Sequence, residues 1–192
     1  MLVTPLGLPE VLEIAPAKFG DARGFFSETY NAKKFSDAGL SMAFVQDNHS
    51  FSAARGVLRG LHYQLPPFAQ DKLVRVIKGA IFDVAVDIRR GSPRFGQWCA
   101  RTISAKAWNQ MFVPKGFAHG FLTLEPDTEV IYKVSDLYSP EHERAINFAD
   151  PDIAIEWPLD GIEPTLSDKD RVAPFLKDQP ELFQFSGEGI SS

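Results

Sequence analysis

The chain is poor in several things at once: it has one cysteine, four histidines and no excess of positive charge. A lone cysteine excludes an internal disulfide and a cysteine-built metal cluster. Cys99 sits in QWCARTI, a strand-like run, and reads as a buried small hydrophobe rather than a nucleophile. Twenty Lys and Arg against 25 Asp and Glu leave a formal net charge of -5, which argues against a nucleic-acid partner. A local basic pocket for a small anion remains compatible with that balance. No apolar run is long enough to span a bilayer, so no membrane partner is expected. The opening MLVTPLGLPEVLEIAP lacks a basic leader, carries Glu10 and is broken by prolines. It does not read as a secretory signal, and a cytoplasmic location is expected.

Helical periodicity is also scarce. AKKFSDAG, residues 32 to 39, is the best helix candidate, ended by Gly39. Fourteen glycines and fourteen prolines instead punctuate short strand-like runs, including VLEI (11 to 14) and RGFFSETYN (23 to 31). In IFDVAVDI, Phe82, Val84, Val86 and Ile88 share one face, while Asp83, Ala85 and Asp87 share the other. One face is apolar packing; the other turns carboxylates toward water or a polar cavity. FGQWCARTIS, WNQMFVP, HGFLTLE and TEVIYKVSDLY continue as strands at short intervals. Many short strands with few helices predict an all-β sandwich or barrel, the group that holds jelly rolls and cupins. At 192 residues the chain fits a single domain over 1–192, and no linker divides it. The proline-rich stretch after Trp157 reads as loop, with a poorly ordered tail from about 181.

PKGFAHG (114 to 120) fits the P-x-G-x-x-H pattern of the second cupin motif, with His119 entering a strand that points inward. Metal-binding cupins also use an H-x-H pair and a nearby glutamate. Here His62 is followed by Tyr63 and Gln64, and the next stretch offers Phe68, Ala69, Gln70 and Lys72. Two histidines fall short of the three or four protein ligands of a usual metal site. The expected pocket uses no metal and no cofactor.

Other segments place a base, a cation or a phenol beside strand sequence: RGLHYQ (59 to 64), QDKLV, IYKVSDLY (131 to 138) and LSDKD (166 to 170). Together they supply what removes a proton next to a carbonyl and returns it from the other side. Lys72 begins a strand, so it can point into the barrel while Leu73 points away. Arg59 offers a guanidinium to phosphate oxygens. By itself, each of these residues is more often structural.

In combination with FGDARGFFSETY, FVQDNHS, VLRGLHYQ, KLVRVIKG, FDVAVDIR, GSPRFGQW, VPKGFAHGF, YKVSDLYSPEHE, DPDIAIEWP and LSDKD, the chain resembles the dTDP-4-dehydrorhamnose 3,5-epimerase family over nearly its whole length. The resemblance implies a cupin-type jelly roll with short peripheral helices. It implies a homodimer whose N-terminal strands reach into the partner's pocket. It also implies an isomerase acting at carbons 3 and 5 of dTDP-4-dehydro-6-deoxy-D-glucose, giving dTDP-4-dehydro-L-rhamnose in dTDP-rhamnose biosynthesis. His62 is then the base and Asp170 its orienting partner. Lys72 stabilises the enolate, and Tyr132 is the opposing acid. His119 contacts the sugar, with Asp83 behind it. Arg59, Arg23 and Lys169 meet the pyrophosphate; Gln46, Asn48 and Glu28 add polar contacts; Phe19 and Tyr138 flank the thymine. The alternatives are an epimerase acting at one carbon only, a metal-dependent cupin oxygenase and a non-catalytic sugar-nucleotide binding module.

Overall fold

A computed structural model describes residues 1–187 of the 192. Its N-terminal elements are β1 (Leu2–Pro5), β2 (Leu12–Ala15), β3 (Phe19–Asp21), β4 (Gly24–Phe26) and α1 (Ala32–Asp37). The body comprises β5 (Gln46–Ser52), β6 (Leu58–Gln64), β7 (Lys72–Lys78), β8 (Ala80–Asp87), β9 (Arg89–Arg90), β10 (Trp98–Ser104), β11 (Gln110–Val113), β12 (Phe117–Thr123) and β13 (Thr128–Val134). Then follow β14 (Glu143–Ala145), α2 (Asp168–Arg171), a 3-10 turn (Leu176–Asp178) and β15 (Phe183–Gln184).

Two antiparallel sheets face each other, one ordered β1-β2-β11-β7-β13-β5 and the other β10-β8-β12-β6-β14. This is a jelly roll. Leu8, Val11, Val74, Val76, Ile81, Ala85, Cys99, Ile103, Met111 and Val113 fill part of the space between the sheets, and the buried thiol of Cys99 packs as an apolar group there. The alternation in β8 explains the rest. Ile81 and Ala85 join that inner core, and Asp83 and Asp87 on the same face are fully buried. Val84, Val86 and Ile88 turn outward yet are also buried, because residues 146–183 fold back over them through Ile146, Ile153, Trp157, Leu176 and Phe183. The carboxylate face therefore points not to water but into the interior, where Asp83 meets His119 and Asp87 meets Arg89 and Ser92. On the larger sheet, Leu73 and Phe112 turn outward beneath α1, whose Phe35 fills the contact. Asn31 caps α1 at Lys34 N, and Gly39, with φ of 83°, follows its C-terminal end.

Two expectations need correction. The run 23 to 31 is not one strand, since only Gly24–Phe26 is extended and it pairs with Phe19–Asp21 as a small hairpin. Beyond it the chain is held by side-chain bonds: Gln110 Nε2 donates to Thr29 O at 2.9 Å, and Ser27 Oγ reaches back to donate to Ala17 O at 2.8 Å. The tail expected to loosen from about 181 is instead tied down. Phe183–Gln184 pair in parallel with Arg89–Arg90, and Phe183 packs on the outer face of the smaller sheet. The last part of that expectation, residues 188–192, lies outside the described residues.

Candidate active site

A cleft of about 360 Å³ opens between the sheets, lined by Ser50, Arg59, His62, Lys72, His119, Phe121, Tyr132 and Asp170, among others. The smaller sheet supplies the two histidines from neighbouring strands, and they stand directly opposite in register. Strict alternation would send Arg59 and His62, three residues apart, to opposite faces. A bulge in β6 cancels this: His119 pairs with His62, but Phe121 pairs with Arg59. The extra residue falls at Gly60, where φ is 125° and an added Cβ would lie 2.5 Å from Gly120 Cα. Only glycine fits there, and its presence puts a guanidinium and an imidazole on one wall.

Each histidine holds a carboxylate. His62 Nε2 lies 2.6 Å from Asp170 Oδ1, with Asp170 almost fully buried on α2. Ser167 caps that helix at Asp170 N. Burial pushes the Asp170 carboxyl up, but hydrogen bonds from His62, Ser167 and the Gly60 backbone outweigh it and hold the group below the usual carboxylate range. The second pair is deeper. His119 Nε2 lies 2.7 Å from Asp83 Oδ1, and burial drives the imidazole toward its neutral form.

Lys72 rises from the larger sheet and is buried, its Nζ donating to His62 O at 3.2 Å. Burial lowers its pKa to about 8, opposed by the negative charges of Asp83 and Glu143. Tyr132 comes from β13, also on the larger sheet, so it stands on the wall facing His62. Burial raises its phenol above the usual value, keeping it protonated. Among the described residues, no group of three or more His, Cys, Asp or Glu side chains is arranged to hold a metal ion.

The other sequence-predicted residues fall into two groups. Tyr138 and Lys169 meet beside the cleft: the Tyr138 hydroxyl donates to Glu143 Oε2 at 2.8 Å, and Lys169 Nζ lies 2.5 Å from the same oxygen. Gln46 joins them by accepting from Tyr138 N at 3.1 Å and donating to Asn48 Oδ1 at 2.8 Å, both on edge strand β5. Phe19, Arg23 and Glu28 are not brought into this chain's cleft. Phe19 is exposed, Arg23 is paired with Asp21 at the hairpin turn, and Glu28 is paired with Lys34. Sequence reasoning missed Glu143, whose charge acts on Lys72 and Tyr132. It sits in SPEHER, which reads as a charged turn; only the pairing of β14 with β6 brings it to the cleft. Ser50 and Thr165 also went unseen, although Thr165 lies just before the LSDKD run.

Moving a proton at a carbon made acidic by a neighbouring carbonyl is chemistry these facing walls can perform, which puts the molecule among the jelly-roll isomerases. Comparison narrows the class. A model of the dTDP-4-dehydrorhamnose 3,5-epimerase family matches residues 5–178. The dTDP-4-dehydrorhamnose 3,5-epimerase of Pseudomonas aeruginosa is 55% identical over 172 residues, covering 89% of this chain and 93% of the relative. The solved epimerase of Legionella pneumophila, in complex with dTDP-4-keto-L-rhamnose, superposes with a TM-score of 0.92 at 44% identity, over 96% of this chain and 98% of its own. A 3'-monoepimerase from Streptomyces bikiniensis, in complex with dTDP-quinovose, matches with a TM-score of 0.84 at 38% identity, over 90% and 87%. The chain belongs to the dTDP-4-dehydrorhamnose 3,5-epimerase family and is an isomerase.

Proposed function

We propose that the chain epimerises carbons 3 and 5 of dTDP-4-dehydro-6-deoxy-D-glucose to give dTDP-4-dehydro-L-rhamnose, with His62 as base, Lys72 as enolate stabiliser and Tyr132 as acid. The observation that carries the reading is the placing of His62 and Tyr132 on facing sheets around the Lys72 ammonium. His62 Nε2 keeps its proton toward Asp170, which leaves Nδ1 to accept one from carbon 3 or carbon 5. The C–H electron pair becomes the enolate double bond, and the carbon-4 oxygen takes the negative charge. Lys72 donates a hydrogen bond to that oxygen, and this contact strengthens as charge develops. Tyr132 then gives its proton to the same carbon from the opposite face and regains one from solvent, while His62 releases to solvent the proton it took. His119, neutral and held by Asp83, donates or accepts a hydrogen bond at the sugar without competing for the proton.

Arg59 and Lys169 meet the pyrophosphate, while Tyr138 stacks against the thymine. The remaining contacts come from a second copy of the chain. Phe19, Arg23 and Glu28 lie outside their own cleft, and the hairpin that carries Phe19 and Arg23 also exposes Phe25 and Phe26. A homodimer that lends this hairpin to the partner's cleft accounts for both facts, while Gln46 and Asn48 add their polar contacts beside Tyr138 at their own cleft. A cytoplasmic location suits a charged nucleotide sugar, which does not cross a bilayer unaided. No helix among the described residues is long and apolar enough to cross a membrane.

Proton NMR of the substrate in deuterium oxide tests the reading. Deuterium should enter at both carbon 3 and carbon 5, and light scattering should give twice the chain mass. The second reading, an epimerase acting at one carbon, is kept open by the likeness to a 3'-monoepimerase. Exchange at one position only would select it.

A further inference from the structure

We infer that Trp108 is a positioning residue: its indole, with Lys18, Phe25 and Ser27, sets the direction in which the β3–β4 hairpin leaves the barrel and thereby governs nucleotide binding in the cleft that the hairpin serves. The inference rests on the proposed exchange of the hairpin between subunits. The hairpin needs such a device. Its two strands pair only with each other, and all six of their residues are exposed. Its feet are pinched together where Ser27 Oγ donates to Ala17 O. The indole N–H of Trp108 donates to that same Ser27 Oγ at 2.9 Å. The Trp108 ring meets Phe25 edge-on, with centroids 4.8 Å apart, and the Lys18 ammonium sits 4.0 Å from the Phe25 ring and 4.2 Å from the indole. One side chain of the barrel thus grips both feet and one strand of the hairpin.

The backbone at Trp108 gives independent support. Trp108 closes the turn between β10 and β11 with φ of 58°, a conformation that glycine or asparagine adopts far more easily than a bulky aromatic. The turn has its own fastening, since Asn109 Oδ1 accepts from Ser104 N and its Nδ2 donates to Thr102 O and Glu13. Nothing in the turn calls for an indole, whereas the hairpin does. The grip also explains why Arg23, at the tip of an exposed hairpin, and Phe19, at its base, can meet a ligand without being ordered by it alone: the feet are already fixed, so less freedom is lost on binding.

The test separates the grip from the fold. Trp108→Gly relieves the backbone and removes the grip, so its melting temperature should hold while KM for the dTDP-sugar rises about tenfold and kcat stays within about twofold. Trp108→Phe keeps the ring contacts, loses the N–H donor and should fall between. An unchanged KM in Trp108→Gly, or a loss of kcat that tracks a lowered melting temperature, overturns the inference. Hybrid dimers, isolated with two affinity tags, decide which cleft the hairpin serves. Pairing a Trp108→Gly chain with a His62→Ala chain leaves one working base, which under exchange receives an intact hairpin and shows the native KM. A raised KM there, or failure to form dimers at all, removes the exchange reading, while the homogeneous variant still decides the grip.

Discussion

The histidines of the two histidine–carboxylate pairs stand side by side on β6 and β12, their Nε2–Oδ1 distances agree to within 0.1 Å, and the pairs differ in what surrounds them. At the mouth, the His62 side chain is 29% exposed; on the floor, the His119 side chain is 7% exposed. Burial around His119 opposes its charged form and leaves a neutral ring suited to a fixed hydrogen bond. Around His62 the ring borders the open cleft, and in the proposed mechanism Asp170 stabilises the cation formed when the ring accepts a proton. On the proposed reading the pair alone does not define a base: access and a compensated product charge do.

That contrast can be broken by experiment. The largest effect is expected from His62→Ala, which should lower kcat by about 10³–10⁴-fold and abolish deuterium uptake at both carbons. Turnover near the native value would sink the base assignment. Lys72→Met should cost about 10²–10³-fold in kcat. The active form of Lys72 is the ammonium, present below its pKa of about 8, so native kcat/KM should fall as pH rises through about 8. The Lys72→Met profile should lack that alkaline fall; its persistence would assign the limb to another group. Asp170→Asn should lower kcat by about 10²-fold, because the amide neither fixes the same tautomer nor balances the imidazolium. The smallest effect is expected from His119→Gln, a rise in KM of about tenfold with kcat nearly kept. If steady-state kinetics instead show the two histidine variants equally crippled, the distinction between mouth and floor fails.

Much of this is legible in the sequence. The alternation over 82–88 identified a strand with two characters, and the capped run ending at Gly39 marked the helix. His62, Lys72, His119, Tyr132 and Asp170 were all named, and all line one cleft. What stayed hidden depends on contacts between distant segments. Nothing in RGLHY announces that Gly60 adds a residue to the strand, since the bulge exists only against the register of β12. Glu143 is invisible for the same reason, being one of three residues of β14 that matter only through pairing with β6. The segment after Trp157 misled because proline-rich sequence says where regular structure stops, and not that an apolar sheet face awaits covering.

That covering segment carries a consequence for the timing of assembly. Both sheets are complete in sequence at Ala145, yet the carboxylate that orients His62 arrives at position 170. The segment bearing it is fastened in passing: Leu176 N donates to Asp150 Oδ2 at 2.6 Å, and Gln179 bonds both Tyr63 and Ala145 O. As the chain emerges in order during synthesis, the barrel can close while His62 still lacks its carboxylate partner. On the proposed mechanism full turnover then waits for the last wrap to dock, so the rise to native activity would report that the chain has been made and folded through at least Asp170.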